Sequence, residues 1–402
     1  MPEPVVNPTT QTTRSALVGA AFLMATSAIG PGFLTQTAVF TQQLGASFGF
    51  AVLASVLADL GAQLTIWRVI AASGLPAPML ANRVRPGLGS VLSALVVIGG
   101  LAFNIGNVAG AGLGLEAALG LDVRLGAALS AALALGLFVV KDAGRAMDRF
   151  ALAMGFLMIG LTVWVAVASS PPVLEAARRT VWPSTVSPLA IVTLVGGTVG
   201  GYITFAGAHR LLDAGVHGAS AMRDVTRSAA TAIGVASLMR VVLFLAALGV
   251  VSGGVTLNAA NPAAAVFRSV LGDVGERLFG VVMWSAAITS VVGAAYTSVS
   301  FLPVARRGDA GTRPWIIGFI VASASVFLLV GRPVAVLVLV GALNALVLPL
   351  GLGIALLAAR RSDVVGSYVH PRWMTVGGWL VAVAMAGLGL RALIVEVPKL
   401  WR

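Results

Sequence analysis

From about residue 15 to residue 394 the chain is a succession of apolar stretches, each close to the length that crosses a bilayer as a helix. Such a helix needs about 20 mostly apolar residues at about 1.5 Å rise each. Eleven segments qualify: 15–43, 46–70, 89–117, 125–140, 149–170, 187–213, 227–252, 277–303, 313–331, 333–359 and 373–394. The expected fold class is therefore all-α integral membrane, with 11 transmembrane helices. Met1 to Thr13 are polar and proline-containing and read as a disordered tail. The first span is too long and too interrupted for a cleaved signal.

Charged residues make up 10% of the chain, against about 25% in soluble domains. The formal charge of +12 is spread over short hydrophilic gaps rather than gathered in a run, which excludes nucleic acid as a partner and leaves the bilayer. With the N-terminus cytoplasmic, sixteen basic residues fall in inside gaps and nine outside, and Arg240 is left within a span. That bias predicts N-in, C-out and an odd number of helices. Trp67, Trp182, Trp315, Trp373 and Trp401 lie near span ends, where interfacial anchors belong. There is no cysteine and there are three dispersed histidines, so neither a nucleophile–base pair nor a metal cluster is expected. No P-loop pattern is present, no hydrophilic stretch is long enough for a sensor domain, and no cofactor is predicted.

Two spans are interrupted at mid-length. The first reads Ala28-Ile29-Gly30-Pro31-Gly32-Phe33, where Pro31 removes a backbone donor between two glycines that already weaken the helix. The sixth reads Val195-Gly196-Gly197-Thr198-Val199-Gly200-Gly201-Tyr202, with two glycine pairs. At membrane depth an unwound turn leaves amides and carbonyls unpaired unless they line a cavity or meet a solute. A packing kink would explain either break alone. However, Gly30 and Gly200 stand 170 residues apart, in the corresponding members of two five-helix halves. Since five is odd, the second half enters from the opposite side, giving an inverted repeat with its binding site where the broken helices meet.

These residues resemble the Nramp family of the LeuT fold. Gly30-Pro31-Gly32-Phe33 stands where that family has Asp-Pro-Gly-Asn, and Gly45-Ala46-Ser47-Phe48-Gly49-Phe50 follows as a Gly-Ala-x-Phe-Gly-Tyr-like stretch. Gly196-Gly197-Thr198-Val199-Gly200-Gly201-Tyr202 aligns with Gly-Ala-Thr-x-Met-Pro-His, and Leu348-Pro349 resembles the Leu-Pro of the tenth helix, with Asn344 upstream. The resemblance implies broken helices 1 and 6, a first repeat over 14–170, a second over 171–360, and an extra eleventh helix with the C-terminus over 361–402. It also implies that the metal-binding aspartate, asparagine and methionine of Nramp carriers are replaced here by Gly30, Phe33 and Gly200. The acidic pair of the third helix falls near Gly100 and Phe103. A hydrated divalent ion needs oxygen ligands that these residues lack. Small residues at the breaks instead suit a larger cavity for an organic solute, with half-helix N-termini favouring a carboxylate. Relatives with this signature resemble the bacterial branch encoded beside 5-oxoprolinase subunits, which implies 5-oxoproline or a similar small acid. A Mn or Mg transporter is the alternative reading, and a membrane-embedded enzyme or sensor the second.

The expected solute-binding residues are Gly30, Pro31, Gly32, Phe33, Gln36, Gly200, Gly201, Tyr202 and Thr204. Embedded charges are costly in hydrocarbon, so Asp59 in the second span is a candidate proton carrier, its alternative a neutral or ion-paired structural acid. For Arg240 three roles are open: neutralising a substrate carboxylate, pairing with Asp59, or snorkelling to the inner face. His209 could relay protons, although a charged helix end more often sets orientation. Asn104, Asn107, Thr289 and Asn344 are polar enough to line the cavity or to bond between helices.

Overall fold

The computed structural model describes residues 29–137, 143–302 and 308–396. The predicted tail and the first span up to Ala28 lie outside them. Within them the chain is helical: α1 (Pro31–Leu44), α2 (Phe48–Ser73), α3 (Ala77–Val84), α4 (Leu88–Leu119), α5 (Val123–Leu137), α6 (Ala143–Ala168), α7 (Val173–Val181), α8 (Pro188–Thr198), α9 (Ile203–Asp213), α10 (Met222–Ser252), α11 (Pro262–Ser300), α12 (Gly308–Val330), α13 (Pro333–Ala345), α14 (Val347–Ala358), α15 (Ser362–Val365) and α16 (Arg372–Arg391).

Eight long apolar spans are present among the described residues, or nine if the pair Ala153–Ala168 and Val173–Val181, bent by 104°, is one. The eleven expected segments appear in a different grouping. The first span is described only from its break onward and runs with the second, and α5 is a shorter apolar helix. Pro262–Ser300 is two helices joined at a kink, where Gly272 is non-helical (φ 63), so the eighth span begins at Asp273, close to the expected 277, with a short helix ahead of it. Arg268, Asp273 and Glu276 make this stretch look hydrophilic, but they pair with one another on its exposed side.

The bundle is inside out relative to a soluble domain. Leu329 is 84% and Val167 75% exposed, as lipid-facing side chains should be, whereas polar groups collect in the interior. Close approach of the helices depends on small residues. A Cβ on Gly114 would meet the backbone of Trp284, and one on Gly280 that of Ala118, so α4 and α11 pack backbone to backbone. Gly110 of α4 leaves room for Pro31, which opens α1.

Of the tryptophans expected at the interface, Trp182, Trp315 and Trp373 are exposed, and Trp401 lies outside the described residues. Trp67 corrects the expectation, being 0% exposed. Gly207 of α9 makes a slot for its ring, and its indole N–H donates to the Thr204 carbonyl at 2.9 Å. Trp67→Phe keeps most of the ring but deletes that bond, and should cost about 1 kcal/mol, read as a lower Tm in a detergent thermal-shift assay.

Candidate substrate site at the helix breaks

The break in the sixth span lies at Val199–Tyr202, between α8 and α9. In a continuous helix the Gly200 and Gly201 amides would bond the carbonyls four residues back. Instead Gly200 N–H donates to Val195 O at 3.1 Å, and Gly201 N–H crosses to Asn344 O of α13 at 3.1 Å. The carbonyls of Gly196 and Gly197 are thereby released from the ladder. Gly201 has φ +57, which suits glycine. The Thr204 hydroxyl closes the turn by donating to Val199 O at 2.7 Å.

These glycines do not simply leave empty volume, as the sequence suggests. A Cβ on Gly200 would lie 2.8 Å from Asn344 O, and one on Gly201 would collide with Asn344 Oδ1. Asn344 therefore fills the space opposite the break, with its Nδ2 donating to Val340 O at 3.0 Å and its Oδ1 buried without a partner. α13 passes into α14 at Leu346, whose backbone stays helical (φ −74, ψ −22).

The other interruption is a buried helix start. Gly30 is extended (φ −97, ψ −175) and Pro31 occupies the first turn of α1, where its fixed φ is suited and its missing N–H is not needed. Leu34 N–H bonds Gly30 O at 3.2 Å, which leaves the Gly32 and Phe33 amides ahead of the helical ladder. One turn on, Gln36 donates from Nε2 to Leu337 O of α13 at 2.8 Å. Gly32, Gly197 and Gly341 surround its carboxamide, and Oε1 is buried without a partner. Gln36 thus ties α1, α8 and α13 together.

Two opposite charges flank the breaks. Arg240 is 2% exposed, near the middle of α10, with its guanidinium 4.3 Å from the Phe33 ring centroid. A residue at that depth does not snorkel, so that reading falls. Among the described residues its Nε and Nη2 meet no hydrogen-bond partner. Asp59, 3% exposed in α2, accepts from the Thr198 hydroxyl at 2.7 Å through Oδ2, whereas Oδ1 has no partner. The two charges attract each other, yet no ion pair between them is found among the described residues. Thr198 was missed by sequence reading. In an apolar helix it is indistinguishable from Thr193, and only the fold brings it to Asp59, 139 positions away.

The remaining candidates are distributed differently. Tyr202 is buried at the break, its ring edge-on to Phe103 at 5.4 Å. His209 lies lower on α9, stacked on Phe301 at 4.8 Å, with Nε2 accepting from Ala77 N–H at 2.9 Å. Asn104 faces α12, where its Nδ2 donates to Ser323 Oγ at 3.2 Å. Thr289 is half-buried and bonds its own helix at Ser285 O. Asn107 is buried with Nδ2 unpartnered. The structure therefore gathers Gly30–Phe33, Gln36, Gly200, Gly201 and Asn344 with Asp59 and Arg240, but gives His209, Asn104 and Thr289 partners elsewhere. Outside the spans, burial and then the nearby Arg68 push His370 down to about 4, so it stays neutral at physiological pH. No group of three His, Cys, Asp or Glu gathers as a metal site among the described residues.

A family model described as natural resistance-associated macrophage protein-like (Nramp) matches residues 21–395. The chain is 55% identical over 388 residues to the membrane protein YcsG of Bacillus subtilis, covering 96% of each chain. It is 57% identical over 385 residues to a membrane protein of Haemophilus influenzae, covering 95% of this chain and 96% of that one. Among solved structures, a manganese transporter of Eremococcus coleocola superposes with a TM-score of 0.70 at 17% identity, over 98% of this chain and 88% of that one. MhsT, in complex with L-phenylalanine, gives 0.64 at 15%, over 94% and 98%. At these identities the structures establish the fold, which is that of LeuT, with its broken helices.

Proposed function

The chain belongs to the Nramp family of integral membrane transporters, and on that premise we propose that it is a secondary active carrier working by alternating access. Its solute is a small organic acid or amino-acid-like molecule, of which 5-oxoproline is the representative, taken up with a proton. The N-terminus is cytoplasmic and the C-terminus outside, in a bacterial inner membrane.

One observation carries this reading: the buried Arg240 guanidinium over Phe33 at the start of α1, with Nε and Nη2 meeting no acceptor among the described residues. An arginine inside a span costs about 2.5–3.5 kcal/mol or more, and Asp59 compensates its charge without bonding it, so its free donors call for an anionic partner. The same positive charge repels a divalent cation. The positions that hold metal in the family are Gly30, Phe33 and Gly200 here, which offer no side-chain ligand. Coupling runs through Asp59 of α2, which accepts from Thr198 at the end of α8.

The competing reading is a divalent-metal carrier, favoured by the likeness to the manganese transporter. The Gly196 and Gly197 carbonyls and Gln36 Oε1 would then supply oxygen ligands. Uptake of radiolabelled 5-oxoproline and of Mn²⁺ into proteoliposomes decides between them. The expected result is accumulation of the acid under an inward proton gradient with no Mn²⁺ flux above empty liposomes. Saturable Mn²⁺ uptake without acid uptake would reverse the assignment.

A further inference from the structure

We infer that Asp59 and Arg240 act as one coupled pair that makes the carrier electroneutral: each carboxylate bound at Arg240 brings one proton onto Asp59. The inference rests on the organic-acid reading above and adds to it the stoichiometry and the order of dependence.

The two side chains are nearly inaccessible, opposite in charge, and held apart by different elements. Thr198 fixes Asp59 to the end of α8, and the Phe33 ring lies under Arg240 at the start of α1. Each keeps unpartnered polar atoms, Oδ1 on one side and Nε and Nη2 on the other. In a low-dielectric interior such a separated pair is held near neutrality by its own long-range attraction. Arg240 is the charged group that acts on Asp59 from the helices around it. The other ionisable groups on the helices packed against α2 stand toward their ends. Arg83 lies near the end of α3 and Asp363 on the short α15; Glu175, Arg178 and Arg179 lie on the short α7; His209, Arg210 and Asp213 close α9; Arg223, Asp224 and Arg227 open α10; Arg372 and Arg391 bound α16.

A carboxylate that bonds Nε and Nη2 neutralises Arg240 and leaves Asp59 an uncompensated buried anion, which then favours protonation. The charges balance. The empty site carries one negative and one positive group; the loaded site carries a neutral acid and a guanidinium–carboxylate pair, and both sum to zero. Thr198 suits both states because its single hydroxyl proton has two acceptors, Asp59 Oδ2 at 2.7 Å and Leu194 O at 2.9 Å. Against ionised Asp59 it donates to the carboxylate. Against protonated Asp59 it accepts the acid proton and turns its own to Leu194 O.

Titration calorimetry of the full chain in detergent with 5-oxoproline, in buffers of different ionisation enthalpy, measures the protons taken up per molecule bound. We expect about one, with affinity falling roughly tenfold per pH unit once Asp59 ionises in the free protein. Asp59→Asn should reduce the proton number to zero and flatten the pH dependence. In wild-type proteoliposomes, an inside-negative potential should leave the uptake rate unchanged. Acid binding with no proton uptake, a proton number near one that survives Asp59→Asn, or uptake accelerated by the potential overturns the pair while leaving the organic-acid reading intact. Binding of Mn²⁺ with no acid binding at any pH removes both.

Discussion

Replacing Arg240 with glutamine is expected to reduce 5-oxoproline uptake by roughly 100-fold or more and to lower the melting temperature. Breaking one side of a buried charge pair costs about 3–5 kcal/mol, and each 1.4 kcal/mol is about tenfold. Two losses combine here: the substrate carboxylate loses its fork of donors, and Asp59, buried with Oδ1 unpartnered, loses the cation that compensates it. They separate in a double-mutant cycle. Asp59→Asn with Arg240→Gln should recover thermal stability relative to Arg240→Gln alone, since no lone charge remains, but should not recover uptake. Arg240→Lys should fall between, roughly tenfold down, because an ammonium keeps the charge without the planar fork or the stacking on Phe33. Uptake by Arg240→Gln at the wild-type rate would remove Arg240 from the site.

The second large effect is mechanical. Gly196→Ala is expected to destabilise the protein by about 1–3 kcal/mol or more and to abolish transport. A Cβ at Gly196 would collide with Gly341 O and stand 2.7 Å from Ala345 N, both of them backbone atoms that cannot rotate away. α8 and α13 would have to separate, and with them the Gly201 N–H to Asn344 O and Gln36 Nε2 to Leu337 O bonds that hold the breaks in register. Gly234→Ala is the internal control. That residue lies within α10 with nothing near the added methyl, and alanine improves the helix by up to about 1 kcal/mol. Thermal melts and uptake measured on both variants check the argument. Equal melting temperatures would show that the approach of α8 to α13 does not limit stability.

The parts of this fold that depend on local chemistry were legible in the sequence. Apolar runs of spanning length place helices with edges close to those observed, as at 187–213 against Pro188–Asp213 and 333–359 against Pro333–Ala358. Gly30-Pro31-Gly32 and the paired glycines around Thr198 mark the interruptions, because backbone weakness is written into those residue types. Asp59 and Arg240 stand out because a charge in a span is costly wherever it points. Missed were the short helix ahead of the kink at Gly272, whose Arg268 pairs with Asp273 and Glu276 beyond it, and the burial of Trp67, whose slot is made by a glycine 140 residues away.

The sequence by itself determined that this chain spans a membrane and where glycines interrupt its helices, since hydropathy and backbone propensity are properties of neighbouring residues. Only the tertiary structure decided which side chains share the breaks: Gln36 on Leu337, Asn344 across Gly201, Thr198 on Asp59 and Arg240 over Phe33. The physical reason is that these helices are apolar on nearly every face. Their periodicity carries little information about which side turns inward, and the rotation of each is set by packing against helices distant in sequence.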